Sequence, residues 1–186
     1  MPMRTALASI AVVFVLAIIS AGLFVASGAY DVGADTPHSP ATRATIELFR
    51  DRSIAVRARS VNPPNLADER LVLKGAGQYA AMCANCHLAP GIPESELRQG
   101  LYPRPPNLSR YPVDPRTAFW VVKHGLKMTA MPAWGREHDD STIWSIVGFV
   151  SRLPEMSPQQ YRDIVAKAPP DEEMRPMETQ GGVQGK

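Results

Sequence analysis

The chain from Thr5 to Ser27 carries no charge and is mostly Ala, Val, Ile, Leu and Phe. A helix of that length spans about 34 Å, enough to cross a hydrocarbon core of about 30 Å. Farther on, apolar positions return at helical spacing. Val72, Ala76, Tyr79 and Cys83 stand four, three and four apart, on one face of a helix that Asn65 is placed to cap. Asp114-Pro115 opens a second helix, running through Phe119, Trp120 and Val122 to a stop at Gly125. Asp139 or Asp140 caps a third, with Ile143, Ile146, Val147, Val150 and Leu153 along one side and Pro154 at its end. No stretch alternates with period two and none repeats, so the pattern predicts an all-α fold preceded by one apolar N-terminal helix.

Between these elements the chain is rich in proline. Residues 29–65 read as a linker in which Ser39-Pro40 starts a helix to about Arg52, and Asn62-Pro63-Pro64 closes the zone. Its arginines Arg43, Arg50, Arg52, Arg57 and Arg59 outnumber Glu47 and Asp51. They suit either a solvated spacer or contact with lipid head groups or an acidic partner. Residues 88–113 are loop with one helical turn at Glu94–Gln99. Ser157-Pro158-Gln159-Gln160 has capping-box form and predicts a short helix to about Lys167. The predicted division is an anchor or signal over 1–28, a linker over 29–65, a helical domain over 66–154 and a partly disordered tail over 155–186. A net charge of +2 is too small to argue for nucleic acid.

The first helix has two readings. Arg4 precedes it and Asp31 and Asp35 follow, which places the N-terminus in the cytoplasm and the remainder outside. Ser27-Gly28-Ala29 offers a peptidase small residues. The apolar run is nevertheless longer than the usual h-region of about 7–15 residues, which favours an uncleaved single-pass anchor. Either way the chain is exported.

Both cysteines lie in Cys83-Ala84-Asn85-Cys86-His87. This C-x-x-C-H spacing is that of a covalently attached c-type haem. Two thiols must reach two vinyl groups on one porphyrin edge, and an imidazole must turn under the iron. Positions i, i+3 and i+4 share a face of a helical turn, so Cys83 and Cys86 would hold the ring and His87 would ligate the iron. A thioredoxin-like site would need an α/β setting. Zinc would need four ligands, but there is no third cysteine, and His38, His124 and His138 are scattered. A disulfide across two residues would be strained and would leave His87 unexplained.

Candidates for the sixth iron ligand are Met128, Met131, His124 and His138, Met82 being too near Cys83 to reach the other face. Met131 lies in Thr129-Ala130-Met131-Pro132-Ala133-Trp134, after the stop at Gly125, where Pro132 stiffens a loop able to fold over the ring. Met128 is the runner-up.

Residues 66–154 resemble a class I cytochrome c domain of the membrane-anchored, single-haem bacterial kind. The resemblance rests on C-x-x-C-H, on Gly75 and Tyr79 eight and four residues before Cys83, on Ile146 and Phe149 in the last helix, on Pro106-Asn107-Leu108, and on Met131-Pro132-Ala133-Trp134. It implies that Ile146 and Phe149 pack against Gly75 and Tyr79. It also implies that the Pro106 carbonyl accepts a hydrogen bond from the His87 ring, and that Met131 rather than Met128 is the axial thioether. Such a domain is an electron carrier and not an enzyme, with one haem c, membrane-bound redox partners and a place on the periplasmic side of the bacterial inner membrane. Lys123 and Lys127, near the Met131 loop, suit either steering of an acidic partner or plain solubility of the surface. The alternatives are a haem c relay subunit inside a larger oxidase or dehydrogenase, and a five-coordinate haem enzyme.

Overall fold

The computed structural model describes residues 2–169. The chain forms two compact units, one ending at Pro37 and the other beginning at His38. The first is built on α1 (Pro2–Ser27), the uncharged run extended to include Arg4. Its apolar side chains, among them Ile10, Phe14, Ile18 and Phe24, are exposed along its whole length. Gly28 ends it in the left-handed region, where a glycine carries no Cβ penalty.

The second unit holds α2 (Pro40–Ala58), α3 (Glu69–Met82), α4 (Ala84–His87), α5 (Glu96–Gln99), α6 (Pro115–His124), α7 (Asp140–Arg152) and α8 (Pro158–Lys167). Single 3-10 turns stand at Trp134–Arg136 and Leu153–Glu155. No strand occurs among the described residues, only an isolated bridge between Ala89 and Ile92.

The main core forms where α3 crosses α7. The stripe of Val72, Ala76, Tyr79 and Cys83 is buried against Ile146, Phe149, Val150 and Leu153. Burying each large apolar side chain contributes about 1.5–3 kcal/mol. Gly75 marks the crossing: a Cβ there would lie 1.8 Å from the Ser145 carbonyl oxygen and 3.0 Å from Cβ of Phe149. The Tyr79 and Phe149 rings pack at 5.4 Å between centroids, and Tyr161 of α8 extends the cluster, 6.3 Å from Phe149. A second cluster joins Phe119 of α6 to Ile143 and Val147 of α7, with Trp144 stacked on Phe119 at 4.1 Å.

Several boundaries differ from the sequence reading. Asp68, not Asn65, caps α3: its carboxylate accepts from the Arg70 amide at 2.9 Å. The Asn65 side chain is consumed by a local turn, accepting from the Ala67 amide. Helix α2 continues past Arg52 to Ala58, because nothing there breaks it and Ile54 and Ala58 are its buried positions. That helix, read as part of a linker, packs against α6. Within the segment read as tail, Tyr161, Ile164, Val165 and Ala168 pack on the main core. The disorder expected after about Lys167 does not extend to Ala168, which packs on the core, and otherwise falls mainly on residues 170–186, which lie outside the described residues.

Candidate functional site

The α3 helix breaks at Cys83, whose amide still reaches the Tyr79 carbonyl at 2.9 Å. One more turn then forms: the Cys86 and His87 amides donate to the Cys83 carbonyl at 3.1 and 2.8 Å. Cys83, Cys86 and His87 therefore share a single turn, as their spacing predicts. Leu88 closes it with φ 62 and ψ −179, a region used almost only by glycine and costing another residue about 1–3 kcal/mol. The Tyr79 hydroxyl, buried in the core, donates to the Leu88 carbonyl at 2.5 Å and holds that conformation.

The segment around Pro106 grips His87 twice. The Leu108 amide donates to the His87 carbonyl at 3.1 Å, and Nδ1 of His87 lies 3.0 Å from the Pro106 carbonyl oxygen. A carbonyl can only accept, so Nδ1 carries the proton and Nε2 keeps its lone pair. Burial lowers the His87 pKa and so favours the neutral ring that a metal requires, while the Pro106 hydrogen bond pulls the other way. Burial, with Cys86 adding to it, pushes the Cys83 thiol up to about 12. The two cysteines form no disulfide.

Arg98, unremarked in the sequence, supports this segment. Its side chain is 13% exposed. Nε donates to the Pro105 carbonyl at 3.0 Å and Nη1 to both Glu94 oxygens at 3.0 and 2.9 Å. The Arg98 hydrogen bond in turn holds the Glu94 carboxyl below its ordinary value. The only signal in the sequence is Glu94 and Arg98 at i, i+4, too common a pairing to single out. The Ser95 hydroxyl ties the start of α5 to the Asn85 carbonyl inside the cysteine turn.

Met131 sits on the loop after α6. Its carbonyl accepts from the Leu126 amide at 3.1 Å, and its amide donates to the Thr129 hydroxyl at 3.1 Å. It is half-buried and lines a cavity of about 410 Å³ with His124, Leu126, Trp134 and Arg136. None of Cys83, Cys86 and His87 lines that cavity. Met128 is 97% exposed, with φ 59. His124 is exposed, whereas His138 is buried beside Trp134, 5.7 Å between ring centroids. Lys123, read as a steering charge, is bound to Asp140 at 2.6 Å; Lys127 is exposed.

No three His, Cys, Asp or Glu side chains cluster among the described residues. The structure thus brings together two thiols and one oriented imidazole, while Met131 stands on a separate loop. This arrangement suits a group that brings its own ring nitrogens, and a c-type haem is such a group.

The sequence model of the family described as cytochrome C oxidase, cbb3-type, subunit III, matches residues 70–150. No curated protein and no solved structure matches the chain. The match runs from the start of α3 to the end of α7 and takes in the cysteine turn, the Pro106 segment and the Met131 loop. The region it covers is a class I c-type cytochrome domain, a carrier of electrons whose cofactor is haem c.

Proposed function

We propose that the chain is a membrane-tethered, single-haem electron carrier. Cys83 and Cys86 would hold the porphyrin through thioethers, Nε2 of His87 would ligate the iron, and Met131 would supply the opposite ligand. When bound, the haem supplies one-electron chemistry between ferrous and ferric iron. The observation that carries the reading is the clamp of Pro106 on Nδ1 of His87, which presents a neutral Nε2 in a fixed direction. Tyr79 and Leu88 shape the turn beneath it, and Arg98 braces the prolines that make the clamp. Gly125 seats the Met131 loop against the end of α6. The apolar α1 supports a single-pass anchor, with the helical domain on the periplasmic side of a bacterial inner membrane.

A second reading has one specific support. The matching family is described as a subunit of an oxidase, which fits a haem relay within a larger respiratory complex. A free carrier extracted from membranes would run alone on a sizing column; a subunit would run with its partners.

The test is a visible spectrum of the full chain, expressed with a haem-maturation system and extracted from membranes, followed by a haem stain after denaturing electrophoresis. A covalent stain and a low-spin spectrum are expected. Cys83→Ser or Cys86→Ser should greatly reduce the stain. Denatured wild-type chain without stain would overturn the reading.

A further inference from the structure

We propose that α2 is a second membrane contact, whose outward face lies on an anionic lipid surface. This rests on α1 being the anchor. At about 100° per residue, Ile54 and Ala58 point together toward the protein interior. Phe49 and Val56 then fall on the opposite side, and they are 72% and 51% exposed. Ile46 and Leu48 border that face, 50% and 63% exposed. A packed helix gains nothing by holding a phenylalanine in water, so this face calls for a cover.

Charge identifies the cover. Arg52 and Arg59 lie beside Phe49 and Val56 on the outward half, and neither makes an ion pair among the described residues. Glu47 and Asp51, the acids of this helix, lie toward the inward half and are occupied by Arg43 and Arg50 at 3.2 and 2.7 Å. Arg57 bonds to Ser53. An apolar stripe flanked by unpaired arginines is the pattern of a helix lying in a membrane interface, its rings among acyl chains and its guanidinium groups at phosphates. An acidic protein would match the arginines but leave Phe49 and Val56 without apolar partners.

The chain also keeps α2 near such a surface. Residues 28–39 join α1 to α2 and, fully extended, reach at most about 40 Å. A weak interfacial contact is therefore made at high effective concentration. The contact would restrict the turning of the electron carrier relative to the bilayer.

The experiment uses the full chain in lipid nanodiscs of phosphatidylcholine alone and of phosphatidylcholine with phosphatidylglycerol. Hydroxyl-radical labelling read by mass spectrometry reports the exposure of the Phe49 ring, with Tyr111, 65% exposed, as internal reference. In the anionic discs, labelling of Phe49 relative to Tyr111 should fall by more than about threefold, and Arg52→Glu with Arg59→Glu should restore it. Equal labelling with both lipids overturns the proposal, as does protection that survives the charge reversals. Protection by added poly-glutamate but not by anionic lipid overturns it in favour of an acidic protein. Failure of the chain to enter the discs overturns the anchor reading first, and is scored before any labelling.

Discussion

A methyl group on Gly125 would lie 2.8 Å from the carbonyl oxygen of Met131 and 2.7 Å from the carbonyl carbon of Pro132. Gly125 also has φ +63. The residue that ends α6 is therefore the seat of the loop carrying the proposed thioether ligand. Gly125→Ala combines the strain of a region used almost only by glycine, about 1–3 kcal/mol, with a clash against backbone that cannot rotate away. The loop must shift, and the Leu126–Met131 hydrogen bond must stretch. The expected outcome is loss of the long-wavelength sulfur-to-iron charge-transfer band in the oxidised protein, with covalent haem stain retained. An unchanged band would separate the loop from the ligand.

The two methionines of that loop should behave differently. Met131 is half-buried at a cavity, whereas Met128 is almost fully exposed. Met131→Ala should abolish the same band and lower the reduction potential, because a thioether favours the reduced iron more than water or a nitrogen does. Met128→Ala should leave both unchanged. Redox titration with spectroscopy decides it, and the reverse pattern would move the ligand to Met128.

Much of the helical plan was legible because α3 and α7 bury regular stripes and α6 is bracketed by Asp114-Pro115 and Gly125. Asp114 caps as predicted, Asp139 rather than Asp140 caps α7, and Ser157 and Gln160 form the expected capping box. The start of α3 was misread because two acceptors, Asn65 and Asp68, compete within one turn and only packing decides between them. The cysteine turn follows from covalent spacing, and the Pro106 clamp could be expected from resemblance alone. What escaped was tertiary. Arg98 bracing Pro105, and Gly125 as a seat as well as a stop, depend on which backbone comes near, and spacing along the chain does not report that.

Tyr79→Phe isolates one oxygen atom. The ring stays against Phe149, but the Leu88 carbonyl, on a residue 1% exposed, loses its donor. An orphaned buried acceptor costs about 1–3 kcal/mol. Leu88 closes the turn after His87 in a strained conformation, so the loss falls on the turn that orients the imidazole. Chemical denaturation of the haem-loaded chain should show a lower midpoint with an unchanged slope. A midpoint equal to the wild type would mean that water or a neighbour replaces the hydroxyl.

Asp139 gives a stability contribution with a defined pH window. Its carboxylate accepts from the Thr142 amide at 2.7 Å and the Ser141 hydroxyl at 2.9 Å, capping α7. The Thr142 amide is the largest cause that holds its pKa at about 2, below the ordinary 3.8. A depressed folded-state pKa contributes stability above the unfolded value and loses it as pH falls through the folded one. Asp139→Ala should therefore cost about 1 kcal/mol near neutral pH, and the difference from wild type should shrink from about pH 4 downward. Asp139→Asn keeps an acceptor without the charge, so near neutral pH it should fall between alanine and wild type, and its lead over alanine should not change with pH. Urea midpoints of the three chains, measured at several values between about pH 7 and pH 3, check this. An alanine penalty that stayed constant to the acid end would show that α7 gains from the shape of the side chain and not from its charge.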